Sequence, residues 1–329
     1  MIFSLIICTY MRPRTLLKLL NTVKGQTLYP NEILIIDGST NEETKEVLEQ
    51  NMFKNLIYYK VTPEERGLTR QRNFGTDRLT DTDIVCFLDD DTLLEKDYFE
   101  NLINSYQNYP EALAVGGYIT NEVAWEKSEN VKVNEFYYDG WVRIEGIRFK
   151  IRKTLGLLDY TPPGWMPSFS NGRSVSFLPP SNKVYPIEQI MGASSSYRKE
   201  VFKELSFSKY FEGYGLYEDT DFSLRLAKKG NIYINTSARL EHHHNAAGRP
   251  NKFKYGKMVT RNGWYVWRVK YSNPKINSRL KWNLIAIVLI LLRFGNVFTN
   301  KNKVEAFTEA VGRCYGLLSL VFNKPIVER

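Results

Sequence analysis

Three consecutive carboxylates, Asp89-Asp90-Asp91, follow directly on the apolar run Ile84-Val85-Cys86-Phe87-Leu88. Ionised neighbours at this spacing repel one another, and a divalent cation with hard oxygen ligands is the usual remedy. A solvated turn after a strand is the plainer alternative, since turns favour Asp. A second acidic cluster, Glu218-Asp219-Thr220-Asp221, opens a helical pattern carrying Phe222, Leu224 and Leu226. The helix dipole and capping account for one of these carboxylates, and the others are candidates for a general base. Every histidine of the chain lies in His242-His243-His244, directly after the strand-like segment 237–241. In extended backbone His242 and His244 share a face, where imidazole suits metal or phosphate. Arg66, Arg70 and Arg72 fall within seven residues at the opening of a helix. They suit a diphosphate, or form a basic face paired with Glu64 and Glu65. A base and a metal-organised leaving group are what displacement at a sugar's anomeric carbon requires.

These residues need a frame. Strand-like runs alternate with helical patterns at 2–8 and 15–23, 32–36 and 42–50, 56–61 and 68–79, then 84–88 and 96–107, before a strand at 112–117. Such alternation predicts an α/β fold, a mostly parallel central sheet flanked by helices. In open sheets of this type ligands bind beyond the carboxyl ends of the strands. Thr9, Tyr10 and Arg12 follow the first strand, Asp37 the second, and Asp89 to Asp91 the fourth. Residues 121–190, rich in Pro, Ser and Gly, read as a loop-rich insert in which Trp125, Trp141 and Trp165 are buried or stack on sugars. Regular patterning resumes at 192–197, with helices at 199–205 and 219–229.

The 329 residues are 43% hydrophobic and 14% aromatic, a globular composition. The net charge of +9 is uneven: residues 249–329 carry 16 Lys/Arg against three Glu, leaving the first 248 at −4. Two apolar helical segments lie in this basic tail. Residues 282–298 form a helix of about 25 Å, short of a bilayer core of about 30 Å. A later segment puts Val304, Phe307, Val311, Tyr315, Leu318 and Phe322 on one face, with Lys303, Arg313 and Lys324 for anionic headgroups. Either the two helices close the core or they rest on a membrane. Cys8, Cys86 and Cys314 have no metal-ligand spacing, consistent with a reducing cytoplasm, and the apolar N-terminus reads as a first strand rather than a signal peptide.

The order of these parts resembles the family-2 glycosyltransferases of the GT-A fold. The resemblance rests on Ile7 to Pro13, Ile36-Asp37-Gly38-Ser39, Gly67 to Gly75 with Arg72-Asn73, Asp89-Asp90-Asp91, Gly192-Ala193-Ser194-Ser195, Glu218 to Asp221 and the histidines. It implies a catalytic domain over 1–272, comprising a nucleotide-sugar half (1–120), the insert and an acceptor half (191–272), followed by a helical extension at 273–329. It implies that Thr9, Tyr10, Arg12 and Asp37 hold base and ribose, and that Arg70 and Arg72 approach the diphosphate. Asp91 is the implied metal ligand, with Asp89 or Asp90 facing ribose or donor sugar, and His242 or His244 completing the site. Asp219 is the implied base, Glu218 with Gly192 and Ala193 the acceptor contacts, and Asp221 a support for the helix start.

The resemblance further implies an inverting, metal-dependent transfer, with Mn²⁺ or Mg²⁺, from a nucleoside-diphosphate sugar, a UDP-sugar foremost, to a hydroxyl of a glycan or lipid-linked acceptor. It also implies a setting in cell-surface polysaccharide synthesis, on the inner face of the plasma membrane. A sugar-phosphate nucleotidyltransferase would carry a Gly-rich loop after the first strand, where this chain has Thr9-Tyr10-Met11-Arg12-Pro13. A non-catalytic carbohydrate-binding protein has no need of the acidic run, the Glu-Asp pair and the histidines together. Long aliphatic runs in the basic tail suit lipid rather than nucleic acid.

Overall fold

The computed structural model describes residues 1–244, 250–299 and 301–328. In chain order the elements are β1 (Phe3–Thr9), α1 (Pro13–Lys24), β2 (Glu32–Asp37), α2 (Glu43–Glu49), β3 (Leu56–Lys60), α3 (Leu68–Thr76), β4 (Ile84–Asp89), β5 (Thr92–Leu94), α4 (Tyr98–Asn108) and β6 (Ala112–Ile119). The insert contributes β7 (Glu126–Lys127), β8 (Glu135–Tyr138), β9 (Trp141–Ile144) and α5 (Ile147–Thr154). The chain continues through β10 (Val184–Ile187), β11 (Ser194–Arg198), α6 (Glu218–Leu226), β12 (Asn231–His242), α7 (Lys252–Lys270), α8 (Ile276–Thr299) and α9 (Lys303–Phe322). Packing groups residues 1–125 with 175–248 in one compact unit and 126–174 with 249–329 in another. This division gathers most of the insert with the C-terminal helices.

The first unit is built on a nine-stranded sheet ordered β10-β12-β6-β11-β4-β1-β2-β3, with β5 added along β12. The strands β3, β2, β1 and β4 run parallel, and β11 reverses between β4 and β6. Continuous apolar runs such as Phe-Ser-Leu-Ile-Ile-Cys-Thr in β1 form these strands because both faces are covered. Against one face α1 lays Leu16, Leu19, Leu20 and Val23, an i, i+3, i+4, i+7 stripe. Phe3, Leu5, Ile7, Ile33, Ile35, Ile84, Cys86 and Leu88 meet that stripe and the helix α4 in one core. The core pins the strand ends, and the polar residues sit just beyond them.

In the second unit β7, β9 and β8 form a small antiparallel sheet. Helix α9 buries Ala306, Ala310, Gly312, Gly316 and Leu320. A side chain at Gly312 would run into the Phe253 carbonyl, so α7 and α9 pack backbone against backbone. Glu309, 3% exposed, is held by Arg313 on its own helix and Arg293 of α8. Two expectations change here. Arg313, expected to face headgroups, pairs with Glu309. Helix α8 spans 24 residues, not 17, so at about 1.5 Å per residue it reaches about 36 Å, and the length argument against crossing a bilayer falls. The patterned face of α9 points outward, with Val304, Phe307, Tyr315, Leu318 and Phe322 exposed.

Candidate active site

The antiparallel pairing of β5 with β12 sets His242 opposite Thr92, which brings the histidine beside the acidic run. His242 Nε2 lies 3.1 Å from Asp91 Oδ1, and ligand atoms of Asp89, Asp91 and His242 all fall within 4.8 Å of one another. Glu122, just past β6, approaches His242 Nδ1 at 3.4 Å and His244 Nε2 at 2.9 Å. Burial opposes a charge on His242, but Asp91 and Glu122 outweigh it and lift the imidazole to about 10. His243 turns to Glu241 on the surface.

Asp90 faces the other way. It accepts from Thr9 Oγ1 at 2.7 Å and from Arg12 Nη1 at 2.9 Å, which ties the loop after β1 to the end of β4. Burial raises its carboxyl to about 6, against the pull of Arg12 and Thr9. Asp37 is wholly buried: Oδ1 accepts from the Ser39 amide at 2.8 Å and Oδ2 from the Tyr58 hydroxyl at 2.9 Å. Ser39 Oγ in turn accepts from the Met11 amide at 2.8 Å. Asp37 therefore shapes the loop that presents Tyr10 and Arg12 instead of standing open itself. Tyr10 is exposed, with the Arg66 guanidinium over its ring.

The three arginines point three ways. Two residues apart on α3, Arg70 and Arg72 project from opposite sides of the helix. Arg70 pairs outward with Glu212 and the Glu64 carbonyl, away from the carboxylates. Arg72 turns inward, 2% exposed, and donates to Glu218 Oε1 at 2.6 Å, Gly192 O at 3.0 Å and Asp89 Oδ1 at 3.3 Å. It organises carboxylates and is covered by the rings of Phe87 and Phe207. The expectation that Arg70 and Arg72 both reach toward a diphosphate does not match these positions.

Gly192 is the hinge between the two acidic clusters. Its carbonyl accepts from Arg72, and its amide donates to Asp219 Oδ2 at 2.8 Å. A Cβ there would press on Glu218 Oε1 and the Arg72 guanidinium, so a larger residue would have to displace that pair. The Ala193 carbonyl accepts from the Asp89 amide at 3.3 Å. Glu218 and Asp219 open α6 after Tyr217, whose left-handed φ of 72° turns the chain into the helix. Burial raises Asp219, opposed by the amides of Gly192 and Thr220. Burial likewise lifts Glu218 to about 8 despite Arg72, and its Oε2 is buried without a hydrogen bond. Asp221 holds Arg225 at 2.6 Å within the helix.

Glu122 escaped the sequence reading, since a single Glu at the mouth of a loop-rich segment carries no spacing signal. His242 and His244 do come together: with Glu122 their ligand atoms all fall within 4.8 Å of one another, a second possible ligand set beside Asp89, Asp91 and His242. His242 lies between Asp91 and Glu122, and His244 also meets Glu122.

An Asp-Asp-His cluster thus stands at the strand ends of the sheet, with a buried Glu-Asp pair across a glycine from it. The chain belongs to glycosyl transferase family 2, whose model matches residues 4–170. It is 32% identical over 139 residues to a glucosyl-dolichyl phosphate glucuronosyltransferase of Haloferax volcanii, covering 41% of this chain and 43% of that protein. It is 28% identical over 115 residues to the O-antigen chain rhamnosyltransferase RfbN of Salmonella typhimurium, covering 35% of this chain and 36% of the relative. The matches thus span less than half the length of either relative. Among solved structures, residues 1–349 of S. aureus TarS superpose with a TM-score of 0.53 at 16% identity, covering 98% of this chain and 81% of that one. GalNAc-T7, solved with UDP, GalNAc and Mn²⁺, gives 0.51 at 17% identity over 79% of this chain and 48% of that one. The fold is of the GT-A type with a C-terminal helical region.

Proposed function

We propose that this protein transfers a sugar from a nucleoside diphosphate, UDP foremost, to a hydroxyl of a glycan or lipid-linked acceptor, with inversion at the anomeric carbon. The observation that carries this reading is Gly192, which joins Asp219 on one side to Arg72 and Asp89 on the other. A proton acceptor and a cation-binding cluster thereby share one hydrogen-bonded network. Two carboxylates and an imidazole suit Mn²⁺ better than Mg²⁺, which prefers all-oxygen ligands. A cation held by Asp89, Asp91 and His242 would neutralise the diphosphate as it leaves.

The chain's own residues do the rest. Exposed Tyr10 offers a ring to the base, and Thr9 and Arg12 fix Asp90 beneath it. Asp219, made more basic by burial, takes the acceptor proton as the hydroxyl attacks the face opposite the leaving group. Arg72 holds Glu218 beside it. Helices α8 and α9 expose Leu280, Leu284, Ile287, Leu291, Phe307 and Leu318 and lie in the most basic stretch of the chain, which supports seating on an anionic membrane. The names of the two relatives, one specifying a dolichyl phosphate and one an O-antigen chain, agree with such a setting. The direct test is a panel of nucleotide sugars with Mn²⁺, scored for release of free nucleoside diphosphate. Release from none of them refutes the transferase reading.

A further inference from the structure

The second unit buries two cations with unequal partners. Arg152 on α5 is 6% exposed and Arg173 is 7% exposed. Arg173 is satisfied: Nη2 and Nε donate to Glu145 Oε1 at 2.6 and 3.3 Å, and Nη1 to the Asp159 carbonyl at 3.3 Å. Arg152 spends only Nε, on the Leu157 carbonyl at 3.2 Å. Among the described residues its two terminal amines have no hydrogen-bond partner, and the side chain lines a cleft with Arg173, Thr161 and Ser170. The nearest carboxylate, Asp159, accepts instead from the Thr161 amide and hydroxyl. The ring of Phe149 lies against both guanidinium groups, 5.8 and 5.0 Å from their centres.

A buried charge without a carboxylate bonded to it is costly, and here the attraction of Asp159 and Glu145 is smaller than the repulsion of Arg173 and Arg148. Burial, with Arg173 and Arg148 close by, lowers Arg152 to about 10, which still leaves it cationic at neutral pH. We propose that Arg152 and Arg173 form a phosphate-binding cleft in the second unit, for a phosphate monoester or diester. The planar fork of Arg152 presents two parallel donors to an oxyanion. The Ser170 hydroxyl accepts from the Gly172 amide and keeps its own proton to donate. The cleft comprises about 200 Å³ of empty space counted with its mouth, and its interior is narrow. Phosphate oxygens enter it, therefore, while the esterified group remains outside. Ile151 and Leu157, which flank Arg152, pack on Ile285 and Val288 of α8. The cleft and the outward apolar helix thus belong to one packed body, so the ester can come from a lipid headgroup or from a soluble compound.

The full chain is titrated with inorganic phosphate against chloride at matched ionic strength, following thermal unfolding and arginine Nε NMR signals. Phosphate raises the unfolding temperature saturably and moves first the signal that is missing from Arg152→Lys. Arg152→Gln weakens phosphate binding roughly tenfold or more, the scale of a lost charge-assisted fork. No stabilisation of wild type beyond chloride, or an Arg152 signal that stays still, overturns the proposal, and neither observation requires Arg152→Gln to fold. Vesicles containing phosphatidic acid, compared with phosphatidylcholine alone, separate the sources. Arg152-dependent preference for the acidic lipid assigns a headgroup, and phosphate binding without that preference assigns a soluble ester. Release of nucleoside diphosphate in solution depends on the first unit and is retained in Arg152→Gln. Its absence from wild type would count against the transferase reading and leave the phosphate result standing.

Discussion

Asp91 and His242 meet at 3.1 Å because β12 pairs antiparallel with β5 and sets His242 opposite Thr92. Asp89 completes the group, and Glu122 stands behind the imidazole on its other nitrogen. At 3.4 Å this is a charge contact and Nδ1 makes no hydrogen bond; drawn closer, the carboxylate would fix the ring's orientation and tautomer were Nε2 to hold a metal.

Removing Asp91 and removing Glu122 should therefore differ in degree. Asp91→Ala is expected to abolish Mn²⁺-dependent binding of the nucleotide, and Glu122→Gln to weaken Mn²⁺ binding about 10- to 100-fold with the fold intact. Calorimetry with Mn²⁺ and nucleoside diphosphate measures both. Unchanged affinity in Asp91→Ala would remove the cation site.

Asp219 titrates in a predictable direction. Its carboxyl lies above the ordinary value because burial disfavours the charge, more than the Gly192 and Thr220 amides favour it. A base works ionised, so transfer falls as pH drops through this raised value, and the acid limb of kcat/KM lies above about pH 4 at saturating metal. Asp219→Asn should fold and lose about 10²- to 10⁴-fold in kcat. Full activity in that variant, or a limb at or below pH 4 in wild type, contradicts the assignment.

Arg72 and Glu218 form a pair that is 3% and 4% exposed at the side chain. At pH 9, where Glu218 is ionised beside Arg72, Arg72→Ala should cost about 3–5 kcal/mol in urea unfolding, the usual penalty for breaking a buried pair. The cost is smaller at neutral pH, where Glu218 can take a proton instead. Adding Glu218→Gln should recover part of that loss. A cost under about 1 kcal/mol for the single variant at pH 9 would mean that the pair is solvated.

The outer face of α9 offers a separate test. Leu318→Glu with Phe322→Glu places charge where both side chains are exposed. Flotation with anionic vesicles should be lost while the unfolding temperature stays within a few degrees of wild type. Equal flotation of the variant, or none of the wild type, removes the membrane contact.

By itself the sequence determined the strands β1 to β4 and β6 and that polar residues gather at their ends, but not β5 or β7 to β10. Apolar runs such as Ile84 to Leu88 can lie only in a sheet covered on both faces, and Asp89 to Asp91 must then emerge at its edge. The small-residue face of α9 was less legible, because its conspicuous apolar stripe faces outward and Gly312 and Gly316 make the contact. Tertiary structure alone decided how the charges are shared. Arg66, Arg70 and Arg72 looked alike in the chain, yet helical rotation sends Arg70 to Glu212 and Arg72 to Glu218 and Asp89. Asp37 looked available and is spent on Ser39 and Tyr58. Glu122 acquires a role only because the end of β12 lies beside it, a proximity fixed by strand pairing between segments distant in sequence.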